Sequence, residues 1–229
     1  MEPEKHIKLS KHIINQDIHD YLNAVTKEFR EGFDELKKYP KSVSIFGSSR
    51  TTPQSPHYRA AHELAERIVK ETGYAIITGG GPGIMAAANL GAQEAQGNSV
   101  GFTITLPHEQ HTNPYTTSTI QSNYFFARKT MLTFAAEVYI FFPGGFGTFD
   151  ELFSILTMIQ TDKIPRVPII LMGKDFWTPV KDFLKANMLD KHHTIDANDL
   201  ELFTITDSQD KVLEIIKTAP VSQWWQKAD

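Results

Sequence analysis

The sequence predicts an α/β fold: a parallel sheet with helices on both faces, preceded by an N-terminal amphipathic helix. Two observations carry this expectation. From Ser42 onward, short and nearly continuous apolar runs alternate with helix-length segments, the pattern of strands covered on both faces by crossover helices. Before Ser42, apolar residues recur every three or four positions instead, which marks one stripe of a helix.

The N-terminal stripe is Ile14, Ile18, Leu22, Val25, Phe29, Phe33 and Leu36. It ends near Tyr39-Pro40, because proline disfavours helical backbone in the residue before it. The chain therefore divides into a helical extension over 1–40 and a single domain over 41–229. Strands are expected at Val43–Phe46, Tyr74–Thr78, Ser99–Phe102, Val138–Phe142 and Val167–Met172, with a short one at Phe203–Ile205. Helices fit between them at about 56–71, 83–96, 127–136, 149–161, 176–189 and 208–217. The segment Ile104–Ser118 reads as irregular, and its length for a compact domain suggests that it borders a site.

The 229 residues suffice for one good core. A net charge of −4 provides no general attraction for nucleic acid or for an anionic membrane. The absence of cysteine excludes disulfides, thiolate nucleophiles and Cys-zinc sites. The opening MEPEKHIKLSKH lacks the apolar stretch of a secretory signal. No apolar run approaches the ~18 residues of a membrane span. The expectation is a cytoplasmic protein with neither nucleic acid nor membrane among its partners.

Three glycine-bearing segments follow expected strands: FGSSR (46–50), TGGGPGIMAAA (78–88) and FPGGFGTFDE (142–151). All three fall on the carboxyl edge of the sheet, where open α/β sheets bind ligands. The second and third run directly into helices, whose N-termini attract anions. Short turns also recruit glycine, but three at one edge point to a phosphorylated ligand. Gly81-Pro82-Gly83-Ile84-Met85-Ala86 fits a loose G-x-G-x-x-A dinucleotide fingerprint. That fingerprint asks for an acid at the end of the next strand, and VGFTIT (100–105) has none, which disfavours an oxidoreductase. Neither the P-loop pattern nor a G-x-S-x-G elbow occurs.

Two further features have two readings each. Arg128 and Lys129, in NYFFARKTMLTFAAE (123–137), fall near a helix start, where cations oppose the macrodipole. Either they are solvated, or an anion compensates them, and arginine suits bidentate anion contacts. Thr148 and Glu151 fit the capping box T-x-x-E. On that reading Glu151 only binds backbone N–H groups; on the other it is a catalytic acid within a binding loop. Phe125 and Phe126 either line a base site or pack internally. His108 and His111 form H-x-x-H in an expected loop without visible companion ligands, so no metal site is expected. Trp224-Trp225 is a candidate core contact or subunit anchor.

Taken together, PGGFGTFDE resembles the PGGxGTxxE signature of the Lonely Guy (LOG) family of nucleoside-monophosphate phosphoribohydrolases. FFARK resembles its arginine-lysine motif, and FGSS and GGGPGIM its first two loops, in the right order. The resemblance covers about Ser42 to Lys217. Plant-type members typically read HERK where this chain reads FARK, and the FF-x-RK form with an N-terminal helix is closer to the larger bacterial subgroup. The resemblance implies a Rossmann-like fold and homodimers or larger homo-oligomers. It also implies hydrolysis of AMP or an N6-substituted AMP, such as a cytokinin nucleotide, to free base and ribose 5-phosphate. No metal or organic cofactor is implied. By motif, Arg128 and Glu151 would be the catalytic pair. Gly144, Gly145, Gly147 and Thr148 would hold the phosphate, Gly80 and Gly81 would line the nucleotide site, and Gly47, Ser48 and Lys129 would complete the substrate contacts. The label "lysine decarboxylase", often attached to the family, has no independent support in this sequence.

Overall fold

A computed structural model describes residues 18–105 and 112–221. Ile14, His108, His111 and the Trp224-Trp225 pair lie outside the described residues. The order is α1 (Ile18–Leu36), β1 (Ser42–Phe46), α2 (Pro56–Thr72), β2 (Ala75–Thr78), α3 (Ile84–Glu94), β3 (Ser99–Ile104), β4 (Ser118–Ser122), α4 (Phe125–Thr133), β5 (Val138–Phe141), α5 (Phe146–Gln160), β6 (Ile169–Leu171), α6 (Lys174–Phe183), β7 (Thr204–Ile205) and α7 (Gln209–Thr218). A π-helical turn, Leu184–Lys191, extends α6, and a 3-10 helix spans Ala197–Glu201.

Local chemistry sets several of these boundaries. Helix α2 has Ser55 as its N-cap, accepting from the His57 N–H, with Pro56 in the first turn. It ends at Gly73, whose φ of 71° is the left-handed conformation that glycine adopts without penalty. Helix α7 begins at Ser208, whose side chain accepts from the Lys211 N–H.

The seven strands form one sheet in the order β4-β3-β2-β1-β5-β6-β7, and every pairing is parallel. Alternation along each strand divides the core in two. Phe46, Ile77, Tyr139, Phe141, Ile169 and Leu171 face one layer with residues of α4, α5 and α6. Val43, Ile45, Ile76, Ile140 and Ile170 face the other, with α2, α3 and α7. Adjacent residues on opposite faces are the two-residue period of a strand, and both faces are apolar because both are covered.

Three elements differ from expectation. Strand β4 is not among the expected strands; it starts at Ser118, the last residue of the stretch read as irregular. STIQS offers one apolar residue, and as an edge strand it pairs only with β3 and keeps Thr119 and Gln121 exposed, so no hydrophobic run announces it. Helix α4 starts at Phe125 rather than 127. Helix α5 starts at Phe146 rather than 149, a shift with consequences for the site. Among the described residues, no helix is long and apolar enough to cross a membrane.

Candidate active site

Strand order reverses at β1, which has β2 on one side and β5 on the other. Loops leaving the two strands diverge there and open a crevice. A cavity of about 1320 Å³ occupies this position, walled by the loop after β1, the start of α5, and the Arg128 face of α4. The glycine loops are laced to one another. Ser48 N–H donates to Pro143 O at 3.0 Å, and Ile84 N–H donates to Ser48 O at 3.0 Å. Gly83 makes this approach possible: its φ is +70°, and a Cβ there would stand 2.2 Å from Ser48 O.

The helix that follows β5 supplies the anion-binding end. Gly145 is its N-cap, with no side-chain cap; Thr148 N–H turns back to Gly145 O at 3.0 Å, and the N–H groups before it are the ones a helix start leaves without intrahelical partners. Gly144, Gly145, Gly147 and Thr148 line the cavity. Gly144 packs on Thr148, where a Cβ would lie 2.1 Å from Oγ1. A Cβ at Gly145 or Gly147 would meet nothing within 4 Å, so only the cavity side would feel it. Alanine at Gly147 removes a helical glycine and is expected to stabilise the fold by about 0.5–1 kcal/mol. If first-turn N–H groups hold the substrate, Gly145→Ala and Gly147→Ala should nonetheless raise KM by about 10-fold, the scale of one lost hydrogen bond to a charged group. Thermal melts and steady-state kinetics on the same preparations check both halves.

The shifted start of α5 bears on the capping-box reading of Thr148 and Glu151. With Gly145 at the cap, Thr148 is the third helical residue and Glu151 lies in the second turn. The capping-box alternative therefore does not describe this helix. Glu151 shares a face with Ile155, one turn on, and both are buried, Glu151 being only 8% exposed. Its Oε2 has no hydrogen-bond partner among the described residues. Burial pushes its pKa up to about 7; Lys129 and then Arg128 pull it down, and Asp150 adds to the rise. A carboxyl poised near neutrality in a cavity can exchange protons with a substrate or water.

Arg128 follows the same logic on α4, sharing its buried face with Met131 and Leu132. Its Nε donates to Phe102 O at 2.6 Å and its Nη2 to Gly79 O at 3.3 Å. Burial lowers its pKa and the nearby Glu151 partly restores it. Lys129 pairs with the Asp150 carboxylate and donates to Asp150 O at 3.3 Å. Protein groups thus meet both cations, and neither requires a bound anion to explain its place.

Gly47, Ser48, Arg128, Lys129 and Glu151 all line the cavity. Gly80 and Gly81 do not: they lie behind the wall, where Asn113 N–H donates to Gly80 O and its Nδ2 to Gly81 O. Gly79 lines the cavity instead. Sequence reasoning passed over Arg50 and Phe146. Arg50 directly follows Gly47-Ser48-Ser49, and its charge in a glycine loop was the available signal. Phe146 is 96% exposed, and nothing local announces an unburied aromatic inside a glycine motif. Phe125 and Phe126 also line the cavity, 65% and 45% exposed. No His/Cys/Asp/Glu cluster suited to a metal occurs among the described residues.

A family model described as "Possible lysine decarboxylase" matches residues 85–216. Two cytokinin riboside 5'-monophosphate phosphoribohydrolases of Arabidopsis thaliana are similar. LOG2 is 24% identical over 143 residues, covering 62% of this chain and 67% of the relative. LOG5 is 26% identical over 141 residues, covering 61% of each. The chain thus spans roughly three-fifths to two-thirds of these relatives. Among solved structures, the molybdenum cofactor binding protein of Rippkaea orientalis superposes with a TM-score of 0.56 at 25% identity, covering 77% of this chain and 94% of that one. The molybdenum cofactor carrier protein of Chlamydomonas reinhardtii gives 0.56 at 20%, covering 77% and 96%, a likeness of fold.

Proposed function

The chain belongs to the LOG family, also described as possible lysine decarboxylases, and on that premise we propose that it hydrolyses the N-glycosidic bond of AMP or an N6-substituted AMP. Water is the co-substrate, and the products are the free base and ribose 5-phosphate. The observation that carries this reading is Glu151: a buried carboxyl with an unpartnered oxygen, at about pKa 7, in a cavity that also holds a helix N-terminus and Arg128.

As the C1′–N bond breaks, its electron pair leaves with the base and positive charge develops at C1′. An ionised Glu151 stabilises that charge, as carboxylates do in glycoside hydrolysis. Water then adds at C1′, and Glu151 takes its proton, which passes on to the departing base. The start of α5, with Gly144, Gly145, Gly147 and Thr148, holds the phosphate and positions the ribose from a distance. Gly47 and Ser48 close the opposite wall. Arg128 keeps a positive charge beside the carboxyl and favours its ionised form.

The similarity to molybdenum cofactor binding and carrier proteins favours a second reading, a nucleotide-binding module without turnover. A carrier needs the helix N-terminus and the cations but has no use for a buried carboxyl near neutrality. A panel of AMP, GMP, CMP and isopentenyl-AMP, assayed for ribose 5-phosphate, separates the two. Hydrolysis of an AMP-type member is the expected result, with adenosine, followed separately by release of adenine, a poor substrate. Tight binding with no ribose 5-phosphate from any nucleotide supports the carrier.

A further inference from the structure

We infer that Glu28, on the N-terminal helix α1, is a positioning residue for the candidate site: its carboxylate holds the start of α4, the helix that carries Arg128. This rests on the proposed hydrolase reading for its effect on turnover.

Helix α4 is poorly equipped to begin where it does. Its N-cap is Tyr124, with no side-chain cap, and its first turn has no acidic residue. Arg128 and Lys129 follow in the second turn, where positive charge opposes the helix dipole. The missing carboxylate comes from α1. Glu28 Oε1 accepts from Asn123 N–H at 2.9 Å and from Asn123 Nδ2 at 2.9 Å, and Oε2 accepts from Tyr124 N–H at 3.4 Å. An anion thus sits at the N-terminus of α4, supplied from 95 residues away in sequence.

Packing keeps that carboxylate in place. Gly32 allows α1 to approach so closely that a Cβ there would stand 2.4 Å from Met131 Sδ. Tyr21 meets Tyr124 edge-on at 5.2 Å, and Phe29 meets Phe126 at 6.4 Å. One end of α4 is therefore fixed by α1. The other constraint is Arg128 itself, whose guanidinium reaches Phe102 O and Gly79 O. Release of the Glu28 contact leaves Arg128 on a helix with a loose start. Glu28 does not line the cavity, so it acts through α4 and not on the substrate.

The test compares Glu28→Ala, Glu28→Gln and Glu31→Ala, the last an exposed α1 carboxylate that pairs with Lys27 one turn away on the same helix. Kinetics with AMP are read beside amide hydrogen exchange over residues 123–128. Glu28→Ala is expected to lower kcat by about 10-fold with KM nearly unchanged, below the ~10²-fold that a 1 Å misplacement can cost. Exchange at Asn123 and Tyr124 should accelerate in the same variant. Glu28→Gln retains an oxygen acceptor and should restore most of the rate, and Glu31→Ala should match wild type in both measurements. If Glu28→Ala fails to fold, Glu28→Asp, one methylene shorter, is read in its place with the same expectation. The assignment is overturned if kcat stays within about twofold of wild type, or if Glu31→Ala loses as much. If the wild-type protein cleaves no nucleotide, the hydrolase reading falls by itself; unchanged exchange at Asn123 and Tyr124 would then sink the Glu28 assignment separately.

Discussion

Glu151→Gln is expected to abolish most hydrolysis while making the protein more stable at neutral and alkaline pH. The rate effect follows from the proposed role. A group that takes a proton from water contributes about 10²–10⁴-fold, and glutamine cannot take one. The stability effect follows from burial. Glu151 has a folded pKa of about 7 against an ordinary 4.5, so the folded state prefers the neutral carboxyl. The associated stability is fully present below pH 4.5 and is lost as pH rises through about 7. Above that range the cost of the buried charge is on the order of 3 kcal/mol, and the neutral amide avoids much of it. At roughly 2–4 °C per kcal/mol for a chain of this size, the variant should melt several degrees higher at pH 8 and close to wild type at pH 4.5. Melting curves across pH, with base release from AMP, measure both. Full activity in a folded Glu151→Gln would remove Glu151 from the chemistry.

Replacing Arg128 should cost both rate and fold. Truncation to alanine leaves Phe102 O and Gly79 O without their guanidinium donors, a loss of about 1–3 kcal/mol. It also withdraws one of the two positive charges, after Lys129, that hold the Glu151 carboxyl down against burial. The acidic limb of kcat/KM, near pH 7 in wild type, should therefore move to higher pH in Arg128→Ala. Arg128→Lys keeps a charge but lacks the planar fork that reaches two carbonyls at once. Its limb should stay near pH 7 while kcat still falls, by about 10²-fold if the loss is one of positioning. Equal limbs in the alanine, lysine and wild-type proteins would show that Arg128 does not tune the carboxyl. The substrate phosphate has its own ionisation near ~6, so it needs a separate limb in the fit.

Both predictions depend on facts that sequence pattern reached only partly. FPGGFGTFDE and FFARK both reach the cavity, and nine of the eleven residues expected at the site stand in its wall. The exceptions, Gly80 and Gly81, sit in the same loop as Gly79 but have their carbonyls held by Asn113 away from the cavity. A run of three glycines carries no local signal that separates them. The cap reading of Thr148 and Glu151 failed by three residues of helix start. T-x-x-E is a good local cap, yet Gly145 caps the helix without any side chain. Leu152, Ile155 and Ile159 pack in the core whichever start is taken, so the apolar pattern of the helix did not fix its first residue.

The sequence by itself determined the parallel α/β class, the alternation of strands and helices, and the placing of three glycine loops on one edge. These depend on periods of two and 3.6 residues and on the backbone freedom of glycine, all of which are written within a few neighbouring positions. Tertiary structure decided the rest. It paired the polar edge strand β4 with β3, buried Glu151 and raised its pKa, gave Arg128 its two carbonyl acceptors, and brought Glu28 to the start of α4. Each of these is a contact between residues far apart in the chain, and the electrostatics of a buried carboxyl depend on everything packed around it, so no local stretch of sequence could record them.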